Sequence, residues 1–165
     1  MKKIIVSLLL LLPLGLIAQE VKIAFVDQNE IYMIMPEVDA MENATAAKQK
    51  EYEDILKSMQ EEYNRKYSEL TQRGDSLTEN IRLFRVQEVE DLGNRIQNVY
   101  SMGQEEVNKT RESHMLPIQE KVLNAINVVG EENGYMCILL PQALLYRGKG
   151  IIDATAQVKT KLGLK

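Results

Sequence analysis

The chain has 165 residues, with 20 Lys and Arg, 24 Asp and Glu, and a formal net charge of −4. An acidic chain without a basic cluster is a poor partner for nucleic acid or for anionic lipid surfaces. Cys137 is the single cysteine and His114 the single histidine, so the sequence offers neither an internal disulfide nor a His and Cys set for a metal or a nucleophile. We therefore expect no enzyme, no cofactor, no metal site and no nucleic-acid partner.

Residues 1–18 have the features of a secretory signal peptide. Lys2 and Lys3 precede an apolar run over residues 4–12, and Ala18 is the last small residue before the sequence becomes polar. The run is shorter than the roughly 20 residues that a membrane-spanning helix needs. We expect cleavage after Ala18, export without insertion into the membrane, and a net charge of −6 once the two lysines are removed from a chain of charge −4.

Residues 19–36 are predicted to form the first part of a small body. The apolar residues between Lys22 and Val26 predict a strand, and Pro36 suits the first turn of a helix. The following residues, 37–114, are rich in Glu, Gln, Lys and Arg, with thinly spaced apolar residues. They predict an antiparallel helical hairpin, which we call the arm.

The arm is predicted to reverse direction at its tip, near residues 73–80. Gly74 permits positive φ, and Ser76 is suited to cap the second helix, with Glu79 three residues further on completing a capping box. The two helices then span approximately residues 36–73 and 77–132.

Apolar residues of the arm follow a seven-residue repeat, which is typical of a coiled coil. One series stays apolar, a companion series becomes polar toward the tip, and a third set on the second helix faces back. The seam is expected to weaken outward. Gly93 and Gly103, each costing about 0.5–1 kcal/mol relative to Ala inside a helix, are expected to let the arm bend. The three sets are Leu56, Tyr63, Leu70, Leu77 and Phe84; Met59, Lys66, Arg73 and Asn80; and Val89, Leu92, Ile96 and Val99.

Residues 115–165 are predicted to form the second part of the body. Pro117 lacks a backbone donor and is expected to kink the helix, which Gly134 then ends. An apolar strand follows from Tyr135 to Leu140, with Cys137 as a small buried residue. The helix is predicted to bury a continuous apolar face made of Ile118, Val122, Leu123, Ile126 and Val129.

The last elements are short. Pro141 predicts a turn, and residues 144–146 predict a short strand. A final helix is expected to begin at a cap formed by Asp153 or Thr155. Its inward-facing residues are predicted to be Val158 and Leu162.

The fold class that follows is α+β and mostly α: a small β-rich oligomerisation body with a long helical hairpin inserted between its N-terminal and C-terminal parts. The two parts of the body hold about 70 residues. Domains this small usually need a disulfide, a metal or a partner chain, and the sequence leaves only the partner chain. We expect an oligomer held through the body strands, with an interface at Ile23, Phe25, Ile138 and Leu140.

Several stretches resemble the Skp/OmpH family of periplasmic chaperones, and the likeness covers essentially the whole exported chain. They are KIAFVDQNEIYMIMPE at residues 22–37, the charged hairpin, NGYMCILL at residues 133–140, and LLYRGKGIIDATAQVKTKL at residues 144–162. The resemblance implies a homotrimer in the periplasm, with a β-rich body and three coiled-coil arms around a cavity. It also implies a holdase that binds unfolded outer-membrane proteins in that cavity without ATP and prevents their aggregation.

The charge of the arm departs from this family, whose best-known members are basic. Between Glu42 and Lys121 the sequence has 12 Lys and Arg against 16 Asp and Glu. Client contact is therefore assigned to an apolar stripe near the tip, formed by Leu77, Ile81 and Phe84. A periplasmic coiled-coil scaffold or spacer that binds a folded partner is the alternative function.

Overall fold

The computed structural model describes residues 21–73 and 77–164. The predicted signal peptide and the proposed turn residues Gly74 and Ser76 lie outside these ranges. The helices are α1 (Gln28–Tyr32), α2 (Pro36–Arg73), α3 (Glu79–Asn133) and α4 (Thr155–Lys161). The strands are β1 (Ile23–Phe25), β2 (Cys137–Leu139) and β3 (Ile151–Asp153), and a 3-10 turn covers Pro141–Ala143.

A three-stranded parallel sheet joins the two ends of the chain. Its order is β2-β1-β3, with Ala24 opposite Ile138 on one side and Ile152 on the other. The central strand therefore comes from the start of the chain, and both neighbours come from residues more than a hundred positions later. This confirms that the arm is an insertion between two halves of one small sheet.

The third strand is not the one that the sequence predicts. Residues 144–146 form no strand, and Leu145 and Tyr146 are exposed. Residues Ile151–Asp153 pair with β1 instead, and Ile152 packs against the core. The apolar residues at 144–146 match the local pattern of a strand. In the fold, however, the 3-10 turn and the loop that follows it bring the later segment Ile151–Asp153 alongside β1.

The core lies between the sheet, α3 and α4, and it extends through Met35, which directly precedes α2, to Met41 in the first turns of α2. On α3 the buried positions recur at spacings of four and three, as expected for one helix face. Leu123, predicted to be buried, is 52% exposed, and Ala125 faces the core in its place. The buried residues of α3 in the core are Ile118, Val122, Ala125 and Val129.

The N-terminal ends of α3 and α4 begin at other cap residues than the sequence predicts, whereas the C-terminal end of α3 is as predicted. Thr78 is the N-cap of α3 without a side-chain hydrogen bond, and Glu79 is the first helical residue. The predicted capping box involves Ser76, which lies outside the described residues. Ala154 is the N-cap of α4, while Asp153 Oδ1 accepts a hydrogen bond from the Thr155 N–H at 3.0 Å. Gly134 ends α3 in the left-handed conformation, at φ 66°, as predicted.

The arm consists of two long helices without interruption: α2 has 38 residues and α3 has 55. At 1.5 Å per residue these helices extend about 57 Å and 83 Å. Val89 and Leu92 of the predicted seam are buried, and Ile96 and Val99 are half-buried. The helix α3 runs on through Pro117, since one missing N–H does not end a helix held on both sides by packing.

Candidate functional site

The stripe predicted near the tip is partly exposed. Ile81 and Phe84, one turn apart on α3, are 47% and 62% exposed, and Leu83, which the prediction missed, is 55% exposed. Leu77 precedes the helix, so it is not part of a helical stripe with the other two. It lines a cavity of about 390 Å³ with Leu70 and several charged residues.

Charges around that cavity are paired with one another. Glu88 accepts a hydrogen bond from Arg85 Nη1 at 2.8 Å, and its other oxygen lies 3.4 Å from Lys66 Nζ on α2. The Arg85 bond, together with the nearby Lys66 ammonium, lowers the pKa of the Glu88 carboxyl. Glu88 is thus held as a carboxylate between one cation of its own helix and one of the facing helix.

Two further ion pairs lie near the root of the arm, one between the arm and the body and one within the body. Glu37, in the first turn of α2, pairs with Lys121 of α3, and Glu132 of α3 pairs with Lys161 of α4 at 2.6 Å. The hydrogen bond from Lys121 lowers the pKa of the Glu37 carboxyl. These pairs connect helices that the chain itself places far apart in sequence.

The sheet has a second apolar face, turned away from the helices. Since side chains alternate along a strand and Ala24 and Val26 face the core, Ile23 and Phe25 of β1 face the other way. By the same alternation this second face also carries Cys137, Leu139 and Ile151.

Among the described residues, Arg147 of the loop after β2 covers part of this second face. The Arg147 guanidinium carbon lies 4.1 Å from the Phe25 ring centroid, and Phe25 is 6% exposed. Cys137, predicted to be buried, is exposed because β2 is an edge strand and this side chain points away from the core. Of the predicted interface residues, Ile23 and Phe25 lie on the second face, Ile138 packs against its own core, and Leu140 is 47% exposed.

The second face and its surroundings were only partly predictable. The sequence signal for this face is that Leu139 and Ile151 each adjoin a core-facing isoleucine, Ile138 and Ile152. Such continuous apolar runs are typical of strands that are buried on both faces.

Further large apolar side chains of the body are exposed to solvent. They are Met33, Met136, Leu145 and Tyr146, between 75% and 104% exposed.

His114 and the acidic side chains are the described groups that a metal or catalytic site would draw on. His114 is exposed on α3, with Nδ1 2.8 Å from the Thr110 carbonyl oxygen of its own helix. Within residues 21–73 and 77–164 there is no cluster of three or more His, Cys, Asp or Glu able to hold a metal ion. Among the same residues no helix combines the length and the apolar character needed to cross a membrane.

The fold therefore places this chain among proteins in which a long antiparallel helical hairpin extends from a small parallel sheet. The family model "Outer membrane protein (OmpH-like)" matches residues 22–162, and the chain belongs to this OmpH-like family. The predicted family is thereby confirmed.

The crystal structure of a protein from Caulobacter crescentus CB15, described as an OmpH-like outer membrane chaperone, has the same fold. The TM-score is 0.75 at 12% sequence identity, over 86% of this chain and 83% of the other. No curated protein sequence matches the chain.

Proposed function

We propose that the protein is an ATP-independent holdase chaperone of the periplasm, which binds unfolded outer-membrane proteins along its arms and prevents their aggregation. The observation that carries this proposal is the exposure of large apolar side chains on a long arm, led by Phe84 at 62%. Such residues gain about 1.5–3 kcal/mol each when fully covered, so several weak contacts retain an unfolded chain and still release it.

Membership of the OmpH-like family supports the same function, because a solved protein of this fold is described as an outer membrane chaperone. The holding of clients needs no chemical step. The arm offers clients exposed apolar side chains, such as those of Leu83 and Phe84.

We further propose that the protein works as a homotrimer, whose bodies pack through the second face of the sheet. Parallel sheets are normally covered on both faces, and within residues 21–73 and 77–164 the helices pack on the core face of this one. Ile23, Leu139 and Ile151 are half-buried there in the single chain. Three copies arranged in this way place three arms around a common cavity for the client.

The acidic arm favours apolar rather than electrostatic capture. The ion pairs Lys66 with Glu88 and Lys50 with Asp54 neutralise charges within the arm itself. With 12 Lys and Arg against 16 Asp and Glu between Glu42 and Lys121, and several of those cations paired within the arm, little positive charge remains to attract an acidic client. This separates the proposal from a mechanism in which a basic cavity draws clients in.

The deciding experiment dilutes a urea-unfolded outer-membrane β-barrel protein into buffer with and without the purified chain, without nucleotide, and follows light scattering. We expect scattering to be suppressed at about one trimer per client. Native mass spectrometry of the same mixture reports the number of chains and the bound client. Unsuppressed scattering, together with capture of a folded partner instead, would establish the scaffold function in its place.

A further inference from the structure

Two adjoining grooves run between the arm helices about halfway along the arm. They have volumes of about 440 Å³ and 130 Å³, and Leu56 and Tyr100 line both. Ile96 lines the larger groove and Val107 the smaller one. We call these two grooves together the mid-arm groove. Its apolar lining is open to solvent, since Tyr100 is 51% exposed.

The smaller groove lies where α3 has no side chain, at Gly103. This glycine is buried, and a Cβ there would lie 2.9 Å from the Tyr52 ring. Tyr52 and Gly103 both line the smaller groove. The Tyr52 side chain of α2 therefore occupies the space where α3 has no side chain at Gly103, and the surface beside it is concave.

Neutral amides surround the apolar lining. The four glutamines Gln49, Gln60, Gln97 and Gln104 line the mid-arm groove. Gln49 Nε2 donates to Glu53 at 2.8 Å and Gln60 Nε2 donates to Asn64 at 3.0 Å, which leaves both carbonyl oxygens as acceptors. An amide side chain offers donors and acceptors together, as an extended peptide backbone requires. The charged lining residues are one of each sign, Lys57 and Glu53.

The opposite flank of the arm is charged. Tyr100 directly follows the seam residue Val99, whereas Glu88 directly precedes the seam residue Val89, so the two lie on opposite sides of the seam. A separate groove on the Glu88 side is lined by Glu62, Lys66, Glu88, Asp91, Leu92 and Arg95. The arm thus has an apolar, amide-rimmed side and an ion-paired side.

We propose that the mid-arm groove binds extended, uncharged client segments in which apolar side chains alternate with small polar ones, as in an unfolded strand of a membrane barrel. In an extended chain every second side chain points the same way, about 7 Å apart. One apolar side chain enters beside Leu56 and Tyr100, and the client backbone meets the glutamine amides. A groove lined by one cation and one anion is electrically neutral, which matches a segment without charge. This inference rests on the proposed function and names the part of the client that is recognised.

Photo-crosslinking tests the location. A benzophenone amino acid replaces Gln97 or Gln104 in the groove, and Asn98 or Met102 in the control proteins, because both control side chains are exposed on the same stretch of α3 and do not line the groove. A urea-unfolded outer-membrane β-barrel protein is the client. We expect crosslinks mainly from the two groove positions. Equal yields from all four positions would overturn the inference.

Affinity tests the chemistry. Binding is measured with a fluorescent peptide of alternating valine and serine, and with a peptide of the same composition in two blocks. We expect Tyr100→Ser to weaken binding of the alternating peptide by about three- to tenfold. The matched variant Met102→Ser, which removes a side chain of similar exposure two residues away, is expected to leave it unchanged. Equal binding of the two peptides, or equal loss in the two variants, contradicts the proposal.

The same proteins separate this inference from the proposed function. If the unmodified chain suppresses aggregation but Tyr100→Ser suppresses it equally well, the mid-arm groove is excluded and the holdase function stands. If the unmodified chain suppresses no aggregation, the holdase function fails, while peptide binding still decides whether the groove recognises extended segments. Circular dichroism confirms that each variant keeps its helices.

Discussion

Tyr52 of α2 lies directly against Gly103 of α3, where a Cβ would stand 2.9 Å from two atoms of the ring side chain. Real Cβ atoms do not approach other atoms so closely, so the two helices meet here only because residue 103 is glycine. The sequence pattern predicts that Gly103 lets the arm bend. In the structure, Gly103 allows the two helices to pack closely in the middle of the arm.

Gly103→Ala is therefore expected to destabilise the protein, by about 1–3 kcal/mol, although alanine is the better helix former. The contact falls on Tyr52 atoms next to its own backbone, Cβ and Cγ, which have little freedom to move away. Thermal unfolding followed by circular dichroism measures the change.

Gly93→Ala is the matched control. A Cβ at this position lies 3.6 Å from Tyr63 Cε2, which is an ordinary contact. It is expected to stabilise the arm by about 0.5–1 kcal/mol, the usual gain from glycine to alanine inside a helix. If both variants gained stability, close packing at Gly103 would be ruled out.

Replacement of Leu139 by aspartate is expected to dissociate the assembly. Leu139 is half-buried on the second face of the sheet, and a charge buried without a partner between copies costs about 2 kcal/mol or more. Leu123→Asp places the same charge on an exposed side of α3 and is expected to leave the oligomer intact. Native mass spectrometry and circular dichroism report assembly and folding separately; an intact trimer in Leu139→Asp would exclude the second face as the interface.

The triple change Leu77→Ser, Ile81→Ser and Phe84→Ser is expected to weaken client retention by about tenfold or more, because it removes the exposed side chains of Ile81 and Phe84 together with half-buried Leu77. Suppression of client aggregation is the measurement. The control is Leu116→Ser with Leu123→Ser, which removes side chains of similar exposure at the body end of α3. Unchanged suppression by the triple variant, with helices and oligomer intact, would remove this stripe from the client surface.

Client binding is expected to change little between low salt and about 0.5 M salt. Screening at these concentrations acts on exposed charges over distances of several ångströms, whereas apolar contacts do not weaken. Titration of client into the chaperone at each salt concentration gives the dissociation constants. A loss of affinity of about tenfold or more as salt rises would instead indicate electrostatic capture.

The junction between arm and body is expected to depend on pH through Glu37. The hydrogen bond from Lys121 places the pKa of the folded carboxyl below its ordinary value of 4.5. A carboxyl with a lowered folded pKa stabilises the protein above its unfolded pKa, and this contribution disappears as the pH falls through the folded pKa. For a pair this exposed it amounts to about 1 kcal/mol at most.

Urea midpoints of the unmodified chain and of Glu37→Gln should therefore differ at pH 7, and the difference should shrink as the pH falls below 4.5 and through the folded pKa. Glu42→Gln, an exposed carboxylate further along α2, serves as the control and should match the unmodified chain throughout. A constant difference between Glu37→Gln and the unmodified chain at all pH values would show that the effect of residue 37 is not ionic.

The sequence alone determined the long elements of this protein. Pro36 begins α2, Gly134 ends α3, and Val89 and Leu92 lie on the buried seam, as predicted. These properties are local, because helix formers, breakers and a repeat of apolar residues act on their own segment of chain. The family and its fold could be predicted for the same reason, since the order and spacing of such segments were characteristic.

Only the tertiary structure decided which distant residues meet. It selected Ile151–Asp153 rather than residues 144–146 as the third strand, turned Cys137 outward, and placed Tyr52 against Gly103. Each of these depends on the contact of residues between about 50 and 130 positions apart, whose geometry no local pattern contains. A short apolar run or an isolated glycine has several uses, and the neighbour supplied by the fold selects one of them.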